Sequence, residues 1–512
     1  MSKAYVPALL AALLLGGCDI IQTKSGSGPA AAIDQAGVEP ARLRELARDD
    51  AVRAFYGARG WRPVWDAPLA ARLEQAFASA ERHAIDPKPY LALAREGEDA
   101  AAREVGLTRA ALDYARALAG GAVDPRRLFE DYEIPIPRMD LVRGLAQAVA
   151  SGNVPAWLDG LAPADAEYRA LSDAYLEYRR RAQREPRADM VNDGGKIVVG
   201  GRDSRVSMIV ESLRANGYLP AGSDAAPAAG GAVFTPAMAK AVAALQADYG
   251  INPDGVIGAD TLEALNIGAV ERARILAVNL ERRRWLDRMP AETRVDVNTA
   301  AATLEYWRDG ASVHRARVVV GQPGWETPQL LSPMTRLVAN PPWTIPEKIA
   351  EEEIIPKGAD YMARENISEK NGRLIQAPGP KSALGLVKFD MVNNHQIYLH
   401  DTPAKALFAS TERHSSHGCA RVENALDFAR MIAADQNLSE RFEQALAEGE
   451  EQPVNLARAI PVRLLYHTAY LDGGRILFRT DPYGWDDQLA AALGFGKQAR
   501  RRVRSRVVDV GP

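Results

Sequence analysis

The chain of 512 residues is long enough for about three or four domains. Hydrophobic residues make up 47% of it and charged residues 25%, the proportions of an ordinary globular chain, which excludes wholesale disorder. Sixty-three basic against sixty-six acidic residues leave a formal charge of −3. No basic excess exists to neutralise phosphates, so nucleic acid is not an expected partner. The two cysteines, Cys18 and Cys419, exclude a disulfide framework, and each asks for its own explanation.

Lys3 precedes an apolar run, Tyr5 to Leu15, too short for a membrane-spanning helix, which needs about 20 residues. The run suits the apolar core of a secretory signal. Leu15-Gly16-Gly17-Cys18 resembles a bacterial lipobox, whose cysteine is lipidated and becomes the first mature residue; a plain signal with an incidental cysteine is the alternative. The resemblance implies a signal over residues 1–17, a lipid on Cys18, and a periplasmic chain held to a membrane. Asp19 resembles an inner-membrane retention signal. Residues 18–39, rich in Gly, Ser, Ala and Pro, read as a flexible tether.

Over residues 40–190, Ala, Leu, Arg and Glu recur with helical apolar spacing. Ala111-Leu112, Tyr114-Ala115 and Leu118 form one such face, closed by Gly120-Gly121. No catalytic constellation stands out, so a helical scaffold domain is predicted, with His83 on the surface or at a helix end. A small module follows over 200–270. Val206, Ile209, Val210 and Leu213 mark a helix ended by Asn216-Gly217. Pro236 opens a second helix carrying Ala239, Val242, Leu245 and Tyr249, and Thr261, Leu262 and Leu265 mark a third.

Residues 290–475 change to strand patterning. Val295 and Val297 alternate with polar neighbours, and segments 303–307 and 313–320 flank Asp309-Gly310, a hairpin signal. Further strands are predicted at 337–339, 386–389, 396–400 and 462–469. Residues 343–385 are polar, Pro-rich and Glu-rich, without a strand period; a lid over the site or a plain surface insertion is expected. The fold class is therefore multidomain α+β with a mostly-β C-terminal domain. Residues 476–512 end in a basic tail, Lys497 to Arg506, read either as a solvated end or as a contact for anionic lipid or wall polymer.

Of seven histidines, His395, His400, His414 and His417 fall close to Cys419. Three readings compete. In the first, Cys419 is a nucleophile: the apolar positions after it predict a helix whose N-terminus would favour the thiolate, Gly418 and Cys419 N–H groups could hold an oxyanion, and His400 at a strand end could serve as base. In the second, His414, His417, Cys419 and His400 bind zinc, although His-x-x-His-x-Cys matches no familiar zinc spacing. In the third, Cys419 is a buried cysteine among hydrogen-bonding histidines.

Ser416-His417-Gly418-Cys419, with His400 upstream, resembles the L,D-transpeptidase signature of YkuD-type catalytic domains. Asn340-Pro341-Pro342-Trp343, Pro378-Gly379-Pro380, Ala383-Leu384-Gly385 and Tyr398-Leu399-His400-Asp401-Thr402-Pro403 resemble the large scaffold-bearing branch of that family. Leu245-Gln246, Gly250-Ile251, Asp254-Gly255-Val256-Ile257-Gly258, Thr261-Leu262 and Leu265-Asn266 resemble the three-helix peptidoglycan-binding domain. The resemblance implies Cys419 as acyl-accepting nucleophile, His400 as base, and the Asp401 carbonyl as the group that orients the imidazole. Gly418 and Cys419 would supply oxyanion donors, and His417 and Ser416 would support the loop. His414 falls outside the signature and is expected at the surface; His395 is expected to be structural. Arg421 stands where short members carry Asn, and would bind substrate or brace the loop. No metal or organic cofactor is implied.

The implied partners are peptidoglycan stem peptides and glycan, and the membrane through the lipid anchor. The implied reaction is a cysteine thioester that releases D-Ala from a tetrapeptide stem and forms a 3→3 cross-link, with carbapenems acylating the same thiol. L,D-carboxypeptidase or endopeptidase activity, attachment of a protein to the wall, and a non-catalytic wall-anchoring lipoprotein are the alternatives.

Overall fold

A computed structural model describes residues 35–184, 190–220 and 231–496. Cys18, Asp19, the signal and most of the tether lie outside the described residues, as does the basic tail. Among the described residues no helix is long and apolar enough to cross a membrane.

The N-terminal domain is helical from Pro40–Leu46 to Ala166–Arg184, around the long helix Ala100–Gly120. Asp49, Asp66, Asp99 and Asp140 each cap a helix by accepting first-turn N–H groups that have no partner inside the helix. The long helix buries Leu107, Ala110, Ala111, Tyr114 and Leu118. His83 ends a short helix, Ser79–His83, but it is not at the surface. It is 6% exposed, with Nδ1 3.0 Å from the Tyr168 hydroxyl, and burial holds its pKa down at about 3.

Helices Val206–Ala215, Pro236–Asp248 and Ala259–Leu265 build the second module. Gln246 explains part of its motif: the buried amide donates to Asp254 Oδ1 and the Val256 carbonyl (both 2.9 Å) and accepts from the Gly255 N–H (2.8 Å). Gly255 has φ of +70°, and a Cβ there would lie 2.8 Å from the Ala239 carbonyl, so only glycine serves.

Residues 271–289 were not assigned to a domain by sequence, yet they lie largely in a buried helix, Ala269–Arg284. Its arginines reach in several directions. Arg272 donates to Tyr249 of the small module (2.7 Å), Arg284 to the His83 carbonyl (2.7 Å) and Tyr168 (2.9 Å), and Arg282 to Asp486 (2.5 Å). Apolar residues of the helical domain and the small module form one continuous core, which also takes in Ala469 and Phe478. The hairpin Ala469–Asp472 with Arg475–Phe478, and helix Trp485–Ala492, therefore dock on the other domains; they do not trail away.

Ten strands form the main sheet among the described residues. In chain order they are β1 (Tyr132–Glu133), β2 (Arg294–Asn298), β3 (Thr303–Arg308), β4 (Ala311–Gly321) and β5 (Gln329–Ala339), followed by β6 (Val387–Met391), β7 (Leu399–His400), β8 (His414–Ser416), β9 (Ala420–Val422) and β10 (Gln452–Leu465). The order β5-β6-β7-β9-β4-β3-β2-β10 closes because β10 also pairs with β5. Asp309 (φ 52°) and Gly310 (φ 79°) make the predicted hairpin turn between β3 and β4. β1 belongs to the helical domain, yet it pairs in parallel with β5, Tyr132 to Gln329 and Glu133 to Leu330.

Segment 343–385 departs from expectation. It holds a three-stranded antiparallel sheet, Trp343–Thr344, Arg373–Gln376 and Ile367–Lys370. Its own core contains Trp343, Ile345, Ile349, Ile354, Ile367 and Leu384. The insertion is a small packed unit; its strands are too short to show a period.

Candidate active site

β8 and β9 both lie along β4, the first parallel and the second antiparallel, and residues 417–419 form the tight loop between them. Gly418 has φ of +115°, which a residue with a Cβ disfavours. Two hydroxyls fix this loop. Ser416 Oγ donates to the Cys419 carbonyl (2.6 Å) and accepts from the Gly418 N–H (3.2 Å). Thr327 Oγ1 donates to the Gly418 carbonyl (2.7 Å) and accepts from the Gly321 N–H (2.9 Å).

Cys419 is not at a helix N-terminus. It leads into β9, and the helix begins only at Ala425, after Asn424. Val422 fits the helical spacing of the apolar residues after Cys419, yet it is buried as a strand residue against β4. The helix dipole therefore gives no local support to a thiolate. A second expectation changes with it: the Gly418 N–H is engaged by Ser416, so in this state it does not face an oxyanion.

β7 lies parallel to β9, pairing Leu399 with Ala420 and His400 with Arg421. His400 is fully buried, and its Nδ1 lies 2.5 Å from the Asp401 carbonyl. A carbonyl can only accept, so Nδ1 carries the proton and Nε2 keeps its lone pair. Nε2 is buried with no hydrogen-bond partner. Burial, reinforced by the Arg421 charge, holds the imidazole pKa down at about 3. Burial pushes the Cys419 thiol up to about 11, opposed by Tyr398 and then by Lys388 and Arg421. The resting pair is a neutral thiol and a neutral imidazole.

The Asp401 carboxylate has a separate task, accepting the Leu386 N–H (3.0 Å) and pairing with Lys405. Arg421 is 2% exposed and pairs in register with His400, so its charge bears on the imidazole. His417 reaches Glu353 Oε1 of the insertion (2.7 Å) and meets the Trp325 ring edge-on, 4.8 Å between centroids. His414 is not at the surface: its ring lies between Glu412 Oε1 (2.5 Å) and the Thr299 carbonyl (2.8 Å). His395 contacts Glu133 of β1 at 3.1 Å. Cys419, His400, Asp401, Ser416, His417, Gly418 and Arg421 are thus brought together, while Cys18 lies outside the described residues. Among the described residues no three His, Cys, Asp or Glu side chains are grouped to hold a metal.

The sequence motif includes Tyr398 but gives it no role; its ring sits 5.7 Å from that of His400 and its phenol interacts with the thiol. Strand alternation was the available signal, because residues 398 and 400 share a face. Thr327 and Glu353 gave no signal, being far from Cys419 in the chain.

Residues 292–452 match the L,D-transpeptidase catalytic domain family, named YkuD. This part of the chain is similar to L,D-transpeptidase catalytic domains. Residues 50–174 match a family described as "Scaffold domain", and residues 202–265 match the "Putative peptidoglycan binding domain". A "Putative L,D-transpeptidase" of Haemophilus influenzae is 32% identical over 242 residues, which are 42% of this chain and 49% of that protein. The chain thus spans about half the length of that relative. A solved L,D-transpeptidase from Mycobacterium smegmatis is 15% identical, with a TM-score of 0.21 over 34% of this chain and 58% of that one. Another, from Stackebrandtia nassauensis, is 14% identical, with a TM-score of 0.23 over 57% of this chain and 100% of that one. In chain order the matches are a scaffold domain, a peptidoglycan-binding domain and an L,D-transpeptidase catalytic domain.

Proposed function

We propose that the protein is a cysteine-dependent L,D-transpeptidase that makes 3→3 cross-links in peptidoglycan. Cys419 Sγ attacks the carbonyl of the third residue of a tetrapeptide stem, and His400 Nε2 takes the thiol proton. The tetrahedral intermediate collapses, the bond to the terminal D-Ala breaks, and His400 returns the proton to the departing amine. The side-chain amine of a second stem then attacks the thioester, passes its proton through His400, and releases the thiol. The observation that carries the reading is the His400 tautomer: with Nδ1 committed to the Asp401 carbonyl, the buried and unpartnered Nε2 keeps the lone pair a base needs, on the strand that pairs with the one Cys419 leads into. Tyr398, beside the thiol, is suited to donate to the developing oxyanion. The insertion, joined to the loop through Glu353 and His417, would act as the lid. Thiol and imidazole supply both the nucleophile and the proton transfers, so the reading invokes no cofactor.

In the same reading a lipid on Cys18 holds the chain to the periplasmic face of a membrane, and the peptidoglycan-binding domain raises the local concentration of stems. The test is incubation of the full chain with disaccharide-tetrapeptide stems and mass analysis of products. Release of D-Ala with a 3→3 dimer, both lost in Cys419→Ala, is the expected result. Tripeptide without dimer would replace cross-linking by hydrolysis, and an inert full-length chain would refute the enzyme reading.

A further inference from the structure

Cys419 Sγ lies 3.8 Å from the backbone carbonyl of Gln396 and is placed to donate to it. Gln396 has φ of +58°, a conformation that a non-glycine side chain adopts only where the surroundings impose it. Two sets of contacts impose it here. Asn393 Oδ1 accepts from the N–H groups of His395 (3.1 Å) and Ile397 (3.0 Å), and its Nδ2 donates to the Ile397 carbonyl (2.7 Å). The second set comes from another domain. His395 Nε2 lies 3.1 Å from Glu133 Oε1, and Nδ1 lies 3.7 Å from Asp131 Oδ1. Glu133 is part of β1, the strand that the helical domain lays along β5. The same turn runs directly into Tyr398 and then His400, so the two groups that meet the sulfur and the proposed base all hang from it.

We propose that Asn393, and Glu133 acting through His395, are positioning residues for the nucleophile. They hold turn 393–397 so that the Gln396 carbonyl and the Tyr398 phenol meet Cys419 Sγ. The helical domain is then part of the catalytic apparatus, because it supplies the carboxylate that steadies the turn. The inference rests on the reading of Cys419 as nucleophile.

The experiment measures carbapenem acylation of Cys419 by intact mass, in the purified full chain in detergent, giving a maximal rate and a half-saturating concentration. Glu133 is 46% exposed, so Glu133→Ala should leave the fold intact, which the melting midpoint checks. The expected result is a maximal rate lower by about two- to fivefold, the range of a partly exposed polar contact, with the half-saturating concentration unchanged. Glu133→Gln, which keeps a polar group of the same size against the His395 ring, recovers most of the loss. Asn393→Ala lowers the maximal rate further, on the order of tenfold, because it removes three hydrogen bonds from the turn. A wild-type rate in Glu133→Ala overturns the proposal, as does a loss that follows the fraction of unfolded protein and is not rescued by Gln. A wild-type chain in which neither a carbapenem nor iodoacetamide modifies Cys419 overturns the nucleophile reading, and the positioning roles with it.

Discussion

Gly385→Ala puts a methyl group where the structure has no room. Gly385 has φ of +60°, and a Cβ built there would lie 2.5 Å from Asp401 Cγ and 2.6 Å from Asp401 Cβ. Asp401 cannot swing aside cheaply, because its carboxylate holds the Leu386 N–H and Lys405 while its carbonyl holds His400 Nδ1. The left-handed backbone costs alanine about 1–2 kcal/mol. Overpacking against a fixed neighbour adds about 1–3 kcal/mol. The sum, about 2–5 kcal/mol, should lower the melting midpoint of the catalytic domain by about 4–20 °C. Any residual folded enzyme should acylate slowly, since movement of Asp401 carries the His400 acceptor with it. Differential scanning calorimetry and carbapenem acylation measure the two effects. Gly57→Ala is the control: it lies in a helix with nothing within 4 Å of the new Cβ, and should stabilise by about 0.4–1 kcal/mol. A Gly385→Ala protein with wild-type midpoint and wild-type acylation would refute the idea that Asp401 is held rigid.

Three further outcomes follow from the same geometry. With the thiol pushed up to about 11, iodoacetamide labelling of Cys419 should rise about tenfold per pH unit from neutrality toward that value; a plateau near the free-thiol value of about 8.5 would contradict the burial argument. His83 has a folded pKa of about 3, below its unfolded value near 6.5, so the unfolded chain binds more protons in that window. Its contribution is fully present above about 6.5 and is lost as pH falls toward about 3, by up to about 1.4 kcal/mol per unit; denaturant titrations of wild type and His83→Phe should differ by that slope. Thr327→Val leaves the Gly321 N–H and Gly418 carbonyl without the hydroxyl that joins them, costing about 1–3 kcal/mol for each unsatisfied group, whereas Thr327→Ser should retain most stability and acylation.

The grouping of the candidate site was legible because it is local: Ser416 to Cys419 is one run, and His400 stands at the end of a strand. The hairpin at Asp309-Gly310 and the three helices of the small module were legible for the same reason, their signals being complete within a few residues. What failed was context. Val422 looks the same to a helix and to a strand until β4 is beside it. His83 and His414 are polar residues whose burial depends on partners far away, Arg284 and Tyr168 for one and Thr299 for the other. The insertion was read as unpatterned because its strands are only two to four residues long. β1 is two residues long and means nothing until β5 pairs with it.

The helix Ala269–Arg284 bears on how such a chain can be taken apart. On paper it is a charged linker, the natural place to cut between modules. In the folded protein it is a keystone: Arg272, Arg282 and Arg284 are each 2% exposed or less, and each has its hydrogen-bonding partner outside the catalytic sheet. A fragment ending before this helix would expose the face that the helix covers, and one beginning at it would strip Arg272 of Tyr249 and Arg284 of His83 and Tyr168. The domains therefore fold as a block. Exchange of one module for another from a different chain would have to bring a matching helix with it.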